Sequence, residues 1–390
     1  MSYSRPNILL FMSDNQSADF IGCYGNPEVI TPNIDLLAET GMKFTSAFCV
    51  NAMCSPCRAS VLTGMMPSAH GIHNWLDDNL ENFWPDNWNA IGEFENLPSQ
   101  LKKHGYINAI IGKYHLGKAW KSPLAFDHWV TFPHGHTKSF YNNQIIDNNK
   151  NYHYEGHSVE FFTQKTVDFL KEQERSSKPF FCFVPFNGPY GHWPSIKGRS
   201  DNKFANLYDN CELTSVPREG INKRVIDRYN FRILENKGNL PEQFLGPLLL
   251  PNNKESLRNY FSQTSLIDHG IGRILNELKS LKFFENTIII YTSDHGFSLG
   301  NHGIWGHGLA AWPSSIHRPS FNIPLIFSGP GIKRGISNSL VSQLDLSNTI
   351  LNLAEIDSLN GKWVDSRSID MSDEKDEKRT MIYMEQEETR

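Results

Sequence analysis

The run Pro6-Asn7-Ile8-Leu9-Leu10-Phe11-Met12-Ser13-Asp14-Asn15 decides the fold. Its unbroken apolar stretch, Ile8 to Met12, suits a strand buried on both faces, as parallel sheets require. It stops at Ser13-Asp14-Asn15. Polar groups at the carboxyl end of a central strand are where open α/β sheets place their sites. The pattern returns three times. Residues 107–111 lead into Gly112-Lys113-Tyr114-His115, residues 179–186 into Asn187-Gly188-Pro189-Tyr190, and residues 286–292 into Ser293-Asp294-His295. Helical segments alternate with these strands. Residues 31–41 read as a helix with Thr31 as N-cap, Pro32 in the first turn and Gly41 as C-cap. Residues 97–104, 159–171 and 255–281 also read as helices, and 323–328 as one more short strand. Alternation of this kind predicts an α/β fold: a large central, mostly parallel sheet flanked by helices on both faces. The four polar strand ends then converge on one edge.

Composition narrows the function. Among 390 residues, Lys and Arg number 37 and Asp and Glu 42, a formal net charge of −5. A balance this near neutrality argues against a nucleic-acid binder that works by neutralising phosphates. Apolar residues at 39% and aromatics at 12% supply a core and exclude disorder for most of the chain. Mean hydropathy is −0.44, and no apolar run approaches the ~18–20 residues of a membrane helix. The N-terminus shows no apolar segment followed by a cleavage site. The chain as given is therefore expected to be cytoplasmic, or periplasmic or secreted if a leader was trimmed. Six cysteines are too few for a disulfide scaffold in a chain this long.

Residues 66–96 and 118–157, rich in aromatics, His, Asn and Gly, read as loops over the site. Residues 193–254 read as a polar, Pro-punctuated insertion. Residues 373–379 are a mixed charge run suited to a solvated linker, followed by a strand-like start at 380–384.

The most informative segment is Asn51-Ala52-Met53-Cys54-Ser55-Pro56-Cys57-Arg58-Ala59-Ser60-Val61-Leu62-Thr63-Gly64. Pro56 suits a first turn and Gly64 a stop, so Cys54 sits at a helix N-terminus, where free N–H groups favour an anion. Arg58 lies one turn later on the same face. That combination suits a tetrahedral oxyanion. Local chemistry leaves two other readings open: a Cys54–Cys57 redox pair, or half of a zinc site that lacks a second cysteine pair.

Cys-x-Pro-x-Arg followed by Ala-Ser-x-Leu-Thr-Gly resembles the signature of the type I sulfatases, within the alkaline phosphatase superfamily. Four further segments, in order, resemble the same family: Ser13-Asp14-Asn15 with Gly22-Cys23-Tyr24-Gly25-Asn26; Thr31 to Ala38; Gly112 to Gly117; and Thr292 to Gly296 with Leu299 to Gly306. The resemblance covers about residues 5–355. It implies one catalytic α/β domain over 1–365. Residues 366–390 would be a linker and the start of a C-terminal subdomain that is largely absent.

The resemblance also implies roles. Cys54 stands where the family converts a cysteine to formylglycine, hydrated to a diol. A diol can take sulfate on one oxygen and eliminate it with the other. Pro56 and Arg58 complete the pattern read by the formylglycine-generating enzyme, an implied partner during maturation. Asp14, Asn15, Asp294 and His295, with the product of Cys54, match the metal positions. Hard oxygen donors favour Ca²⁺, or less readily Mg²⁺. Two positions depart from the family: Asn15 replaces a second carboxylate, and His295 stands where Asn is usual. Arg58 is implied to orient the diol, Lys113 to hold the nucleophilic oxygen and sulfate, and His115 to take a proton as sulfate leaves. The family's leaving-group acid is a His in a Pro-His context. Here Pro189-Tyr190-Gly191-His192 offers Tyr190 or His192. His307 takes the place of the family's second Lys.

Trp75, Trp84, Trp88, Trp129, Phe132, His134, His136 and Tyr141 in the two loops suit sugar platforms or core. The expected activity is hydrolysis of a sulfate ester, on a carbohydrate in preference to a simple aryl group, with no nucleic acid or membrane partner. Two other readings remain: a phosphonate monoester or phosphodiester hydrolase of the same superfamily, and a catalytically impaired binding homologue.

Overall fold

The computed structural model describes residues 5–76, 80, 83–85, 88–133, 135, 137, 139–190, 201–235, 237–238, 246–308, 315–361, 363–371 and 379–386. Successive residues of a strand point to opposite faces, and the first strand shows what this does here. Ile8, Leu10 and Met12 pack into one apolar cluster with the helices Cys54–Thr63, Leu97–Lys103 and Leu346–Leu353. Leu9 and Phe11 pack into a second with Pro32–Thr40, Ser158–Gln173 and Lys254–Ser280. A single apolar run thereby serves two helical layers, and every residue of the strand is buried.

The strands are β1 (Asn7–Ser13), β2 (Met42–Phe48), β3 (Ile107–Ile111), β4 (His128–Thr131), β5 (Asn143–Asp147), β6 (Lys150–Tyr154), β7 (Phe180–Pro185), β8 (Thr287–Ser293), β9 (Ser298–Leu299), β10 (Trp305–Gly306), β11 (Leu325–Ser328) and β12 (Gly335–Ser342). Among the described residues, ten form one sheet in the order β12-β2-β11-β8-β1-β7-β3-β4-β5-β6, and β9 pairs with β10. The centre, β8-β1-β7-β3-β4, is wholly parallel. The expected α/β class and two-sided helical cover are what the chain forms. No helix among the described residues is long and apolar enough to cross a membrane.

Several boundaries differ from the sequence expectation. Residues 118–157 are not all loop: they contain β4, which joins β3 in parallel, and β5 and β6, which extend the sheet antiparallel at one edge. The strand expected at 323–328 is β11, and it runs antiparallel to both neighbours. Residues 380–384 extend without joining a sheet; the segment is instead tied down where the Glu385 N–H donates to the Val50 carbonyl (2.8 Å). Of the polar stretch 193–254, residues 193–200, 236 and 239–245 lie outside the described residues, and the described part carries the helix Lys223–Glu235.

Two caps are also met differently. Thr31 occupies the N-cap position, but its hydroxyl accepts from the Gly22 N–H (2.9 Å) and does not cap the helix. Asp268, from the long helix, accepts from the Asn33 and Ile34 N–H groups at 2.9 and 2.8 Å. A carboxylate at a helix N-terminus satisfies orphan donors and the dipole together. Gly41 is extended, not left-handed. Its need is proximity: a Cβ there would lie 2.0 Å from the Phe327 carbonyl oxygen.

Candidate active site

Register builds the site. Ser13 pairs with Ser293 across β1 and β8, so the next residues, Asp14 and Asp294, leave the sheet side by side. The Asp294 N–H donates to the Ser13 carbonyl (3.0 Å), the Asp14 N–H to Gly188 (2.8 Å) and the Lys113 N–H to Pro185 (2.7 Å). Four strand ends, from β1, β3, β7 and β8, are thus stitched into one floor.

The helix Cys54–Thr63 stands over that floor with all ten residues buried, and Gly64 ends it in the left-handed region (φ 67°). Cys54 Sγ lies 3.7 Å from Asp14 Oδ1, 3.3 Å from His295 Nε2 and 3.4 Å from Lys113 Nζ. Arg58, one turn on, donates through Nη2 to Asp14 Oδ2 and Asp294 Oδ2, both at 2.8 Å, and through Nη1 to the Lys113 carbonyl. Lys113 Nζ adds a second cation to Asp14 at 2.6 Å and donates to the Tyr190 hydroxyl at 3.1 Å. Each carboxylate therefore turns Oδ2 to a cation and keeps Oδ1 toward Cys54, Asn15 and His295.

The electrostatics follow from this burial. Burial alone would raise the Asp14 carboxyl, but Lys113, Arg58 and then His295 hold it well below the usual carboxylate range. Burial and then the Asp14 charge push the Cys54 thiol up, against the opposing pull of Lys113. Thiolate chemistry needs the reverse, so Cys54 as it stands is a poor nucleophile. Burial and Asp14 likewise keep the Tyr190 phenol neutral, well above its ordinary value.

The donor set fits a divalent cation. One ligand atom each from Asp14, Cys54, Asp294 and His295 lies within 4.8 Å of the others. His295 Nδ1 lies 2.8 Å from the Gly296 carbonyl, a partner only an N–H can satisfy, so in the neutral imidazole the lone pair is on Nε2, which faces the cluster. Asn15 Oδ1 is buried beside Asp294 and accepts no hydrogen bond among the described residues. An orphaned buried carbonyl oxygen is costly unless something binds it. Gln343 holds the floor from behind, its Nε2 donating to the Ser293 and Asp294 carbonyls at 2.7 and 2.8 Å. No motif marked Gln343 in the sequence.

The remaining sequence candidates are placed as follows. Arg58 donates to the two carboxylates and to the Lys113 carbonyl. His115 is buried at the β3 end with Nε2 donating to the Leu76 carbonyl (3.0 Å). His307 stacks on His295 (centroids 4.2 Å apart), its Nδ1 donating to the Ala52 carbonyl at 2.8 Å. Tyr190 is in the cluster; His192, His134 and His136 lie outside the described residues. Trp129 and Phe132 are core, each 2% exposed, whereas Trp84 and Trp88 meet each other at a tilt, ring centroids 4.8 Å apart. Cys57 Sγ turns away from Cys54 and donates to the Asn51 carbonyl (2.7 Å). All six cysteines are free thiols.

Comparison with known proteins agrees with this geometry. An N-acetylglucosamine-6-O-sulfatase of Bacteroides thetaiotaomicron is 28% identical over 405 residues, covering 90% of this chain and 68% of that protein. A human N-acetylglucosamine-6-sulfatase is 28% identical over 383 residues, covering 94% of this chain and 64% of that protein. The chain thus spans about two thirds of the length of these relatives. A solved structure described as in complex with its substrate D-glucosamine-2-N,6-O-disulfate superposes with a TM-score of 0.68 at 25% identity, covering 94% of this chain and 79% of that one. The family model described as Sulfatase matches residues 6–356. A match that runs through all four strand ends and the helix above them leaves one conclusion: this chain is a member of the sulfatase family.

Proposed function

We propose that the chain hydrolyses a sulfate ester on a saccharide by S–O cleavage, with Cys54 converted to formylglycine and one Ca²⁺ held by Asp14, Asn15, Asp294 and His295. The observation that carries this is the setting of Cys54: held as a neutral thiol, yet centred among metal donors and a lysine. Sγ marks the place where an oxygen nucleophile would stand. When present, the hydrated aldehyde supplies a two-oxygen nucleophile and the cation supplies Lewis-acid polarisation.

The chain's own residues supply the rest. Lys113, adjacent to the Cys54 side chain, is placed to hold an anionic oxygen there. Arg58 locks both carboxylates, so neither must reorganise when charge develops. Tyr190, a neutral phenol on Lys113, is the described group suited to protonate a sugar oxygen. His115 is the group we assign to proton uptake as sulfate departs. A saccharide is supported by what the relatives and the solved neighbour act on, with a glucosamine 6-O-sulfate the first substrate to try.

The test is isotopic. Protein co-expressed with a formylglycine-generating enzyme, its conversion at Cys54 verified by peptide mass, is turned over in ¹⁸O water. Solvent oxygen should appear in the sulfate while the sugar hydroxyl keeps its own. Label in the sugar would mean C–O cleavage. No sulfate release from a panel of sulfated glycans by fully converted protein, with turnover of an aryl phosphonate, would replace this reading with the phosphonate one.

A further inference from the structure

Asn15 adopts a left-handed backbone conformation, φ 62°. Asparagine tolerates that region better than most residues, but it is still held there only when its surroundings insist. Three hydrogen bonds do so. The Asn15 N–H donates to Asp294 Oδ1 (3.3 Å) and the Gln16 N–H to the His295 carbonyl (3.0 Å), both within the site. The third comes from outside it. The Tyr260 hydroxyl, on the long helix Lys254–Ser280, donates to the Asn15 carbonyl at 2.8 Å.

Tyr260 is fully buried in a small separate cluster with Phe20, Phe261, Phe297 and Trp305. Its ring meets Phe20 edge-on at 5.7 Å and stacks on Phe297 at 5.9 Å. The ring is fixed by packing, and the hydroxyl reaches out of the cluster to one peptide of the site. That peptide belongs to the residue whose side-chain oxygen is buried without a donor among the described residues. From this geometry we infer that Tyr260 is a positioning residue for the cation site: it pins the Asn15 peptide so that Oδ1 stays among the ligand atoms. An amide oxygen carries no charge to draw it back to a cation, so Asn15 depends on its backbone being held more than Asp14 or Asp294 does. Loss of such an outer hydrogen bond costs metal sites about 10–100-fold in affinity.

The inference rests on the cation reading above, and the experiment separates the two. Ca²⁺ is titrated calorimetrically into chelator-stripped parent, Tyr260→Phe and Tyr208→Phe. Tyr208 lies in the same cluster, and its hydroxyl bonds the Ser265 Oγ (2.6 Å) and the Ile30 N–H (3.0 Å), touching no site residue. Tyr260→Phe should raise the Ca²⁺ Kd about 10-fold or more. It should shrink the thermal shift that a fixed Ca²⁺ concentration gives, and recover kcat at saturating Ca²⁺ with substrate KM unchanged. Tyr208→Phe should lower Tm and leave the Kd alone. A Tyr260→Phe Kd within twofold of the parent, or equal weakening in both variants, overturns the role of Tyr260. A parent that binds no divalent cation overturns the cation reading itself, and this inference with it.

Discussion

Lys113 Nζ and Asp14 Oδ2 lie 2.6 Å apart with neither side chain exposed to solvent. Breaking a buried pair from one side strands a charge, at a cost of about 3–5 kcal/mol, whereas replacing both partners is often near neutral. Asp14→Asn should therefore lower stability in urea denaturation by that order and abolish turnover. The double variant Asp14→Asn, Lys113→Met should recover most of the stability and none of the activity. A double variant as unstable as the single would show that Lys113 is not the stranded charge.

Tyr190 should matter in proportion to how much its leaving group needs a proton. Sugar alkoxides need one; nitrophenolate does not. Tyr190→Phe is expected to cut kcat on a sulfated saccharide by about 100-fold, the low end for a general acid, and on nitrophenyl sulfate by far less. Equal losses on both would make Tyr190 a support for Lys113 (3.1 Å away), not an acid.

Gly112 precedes Lys113 at φ 150°, and a Cβ there would lie 2.0 Å from the Pro185 carbonyl oxygen, the acceptor of the Lys113 N–H. Gly112→Ala must part β3 from β7 at the level of the lysine. A fall in kcat of roughly 10-fold or more is expected, since misplacement by about 1 Å can cost 100-fold. Gly335→Ala, where the nearest atom is 3.7 Å away, should change nothing.

His70 gives the helix Cys54–Thr63 an acid limit. Its Nε2 lies 3.0 Å from Ser60 Oγ and its Nδ1 accepts from the Ile72 N–H (3.2 Å). Burial, then His73, hold it down to about 4. An unfolded chain takes that proton near pH 6.5. Stability from this group is therefore intact above pH 6.5 and lost as pH falls through the window to about 4, on the order of 3 kcal/mol in all. His70→Gln should flatten denaturation midpoints between pH 7 and pH 4.5; an unchanged slope would assign the acid sensitivity elsewhere.

What could be read in the chain was set by burial. β1, β3, β7 and β8 are apolar on both faces, so their runs stand out and their polar ends mark the site. β6, Lys150–Tyr154, is the sheet edge with exposed and half-exposed side chains, and β5, Asn143–Asp147, has for apolar burial only a short Ile145-Ile146 pair within a polar run, too little to separate either from loop. The same holds for β12, whose sequence Gly-Ile-Ser-Asn-Ser-Leu-Val-Ser is half exposed. Asp14, Cys54, Arg58, Lys113 and Asp294 were legible because each sits in a short motif at a strand or helix end. Gln343 and Tyr260 act on the site through backbone carbonyls. Such contacts depend on three-dimensional closure and leave no local spacing to recognise.

The depth of Cys54 would set a clock on the conversion proposed for it. The folded side chain is only 4% exposed, and no second protein could work on a group so enclosed. Its lid and floor include His295, which lies 241 positions downstream. At a synthesis rate of about 5–20 residues per second, roughly 10–50 seconds pass between the emergence of one and the other. During that interval the segment around Cys54 has no completed floor to fold onto. Any enzyme that modifies Cys54 must work on the nascent or unfolded chain, and a folded protein that missed conversion would have to open its core to be rescued.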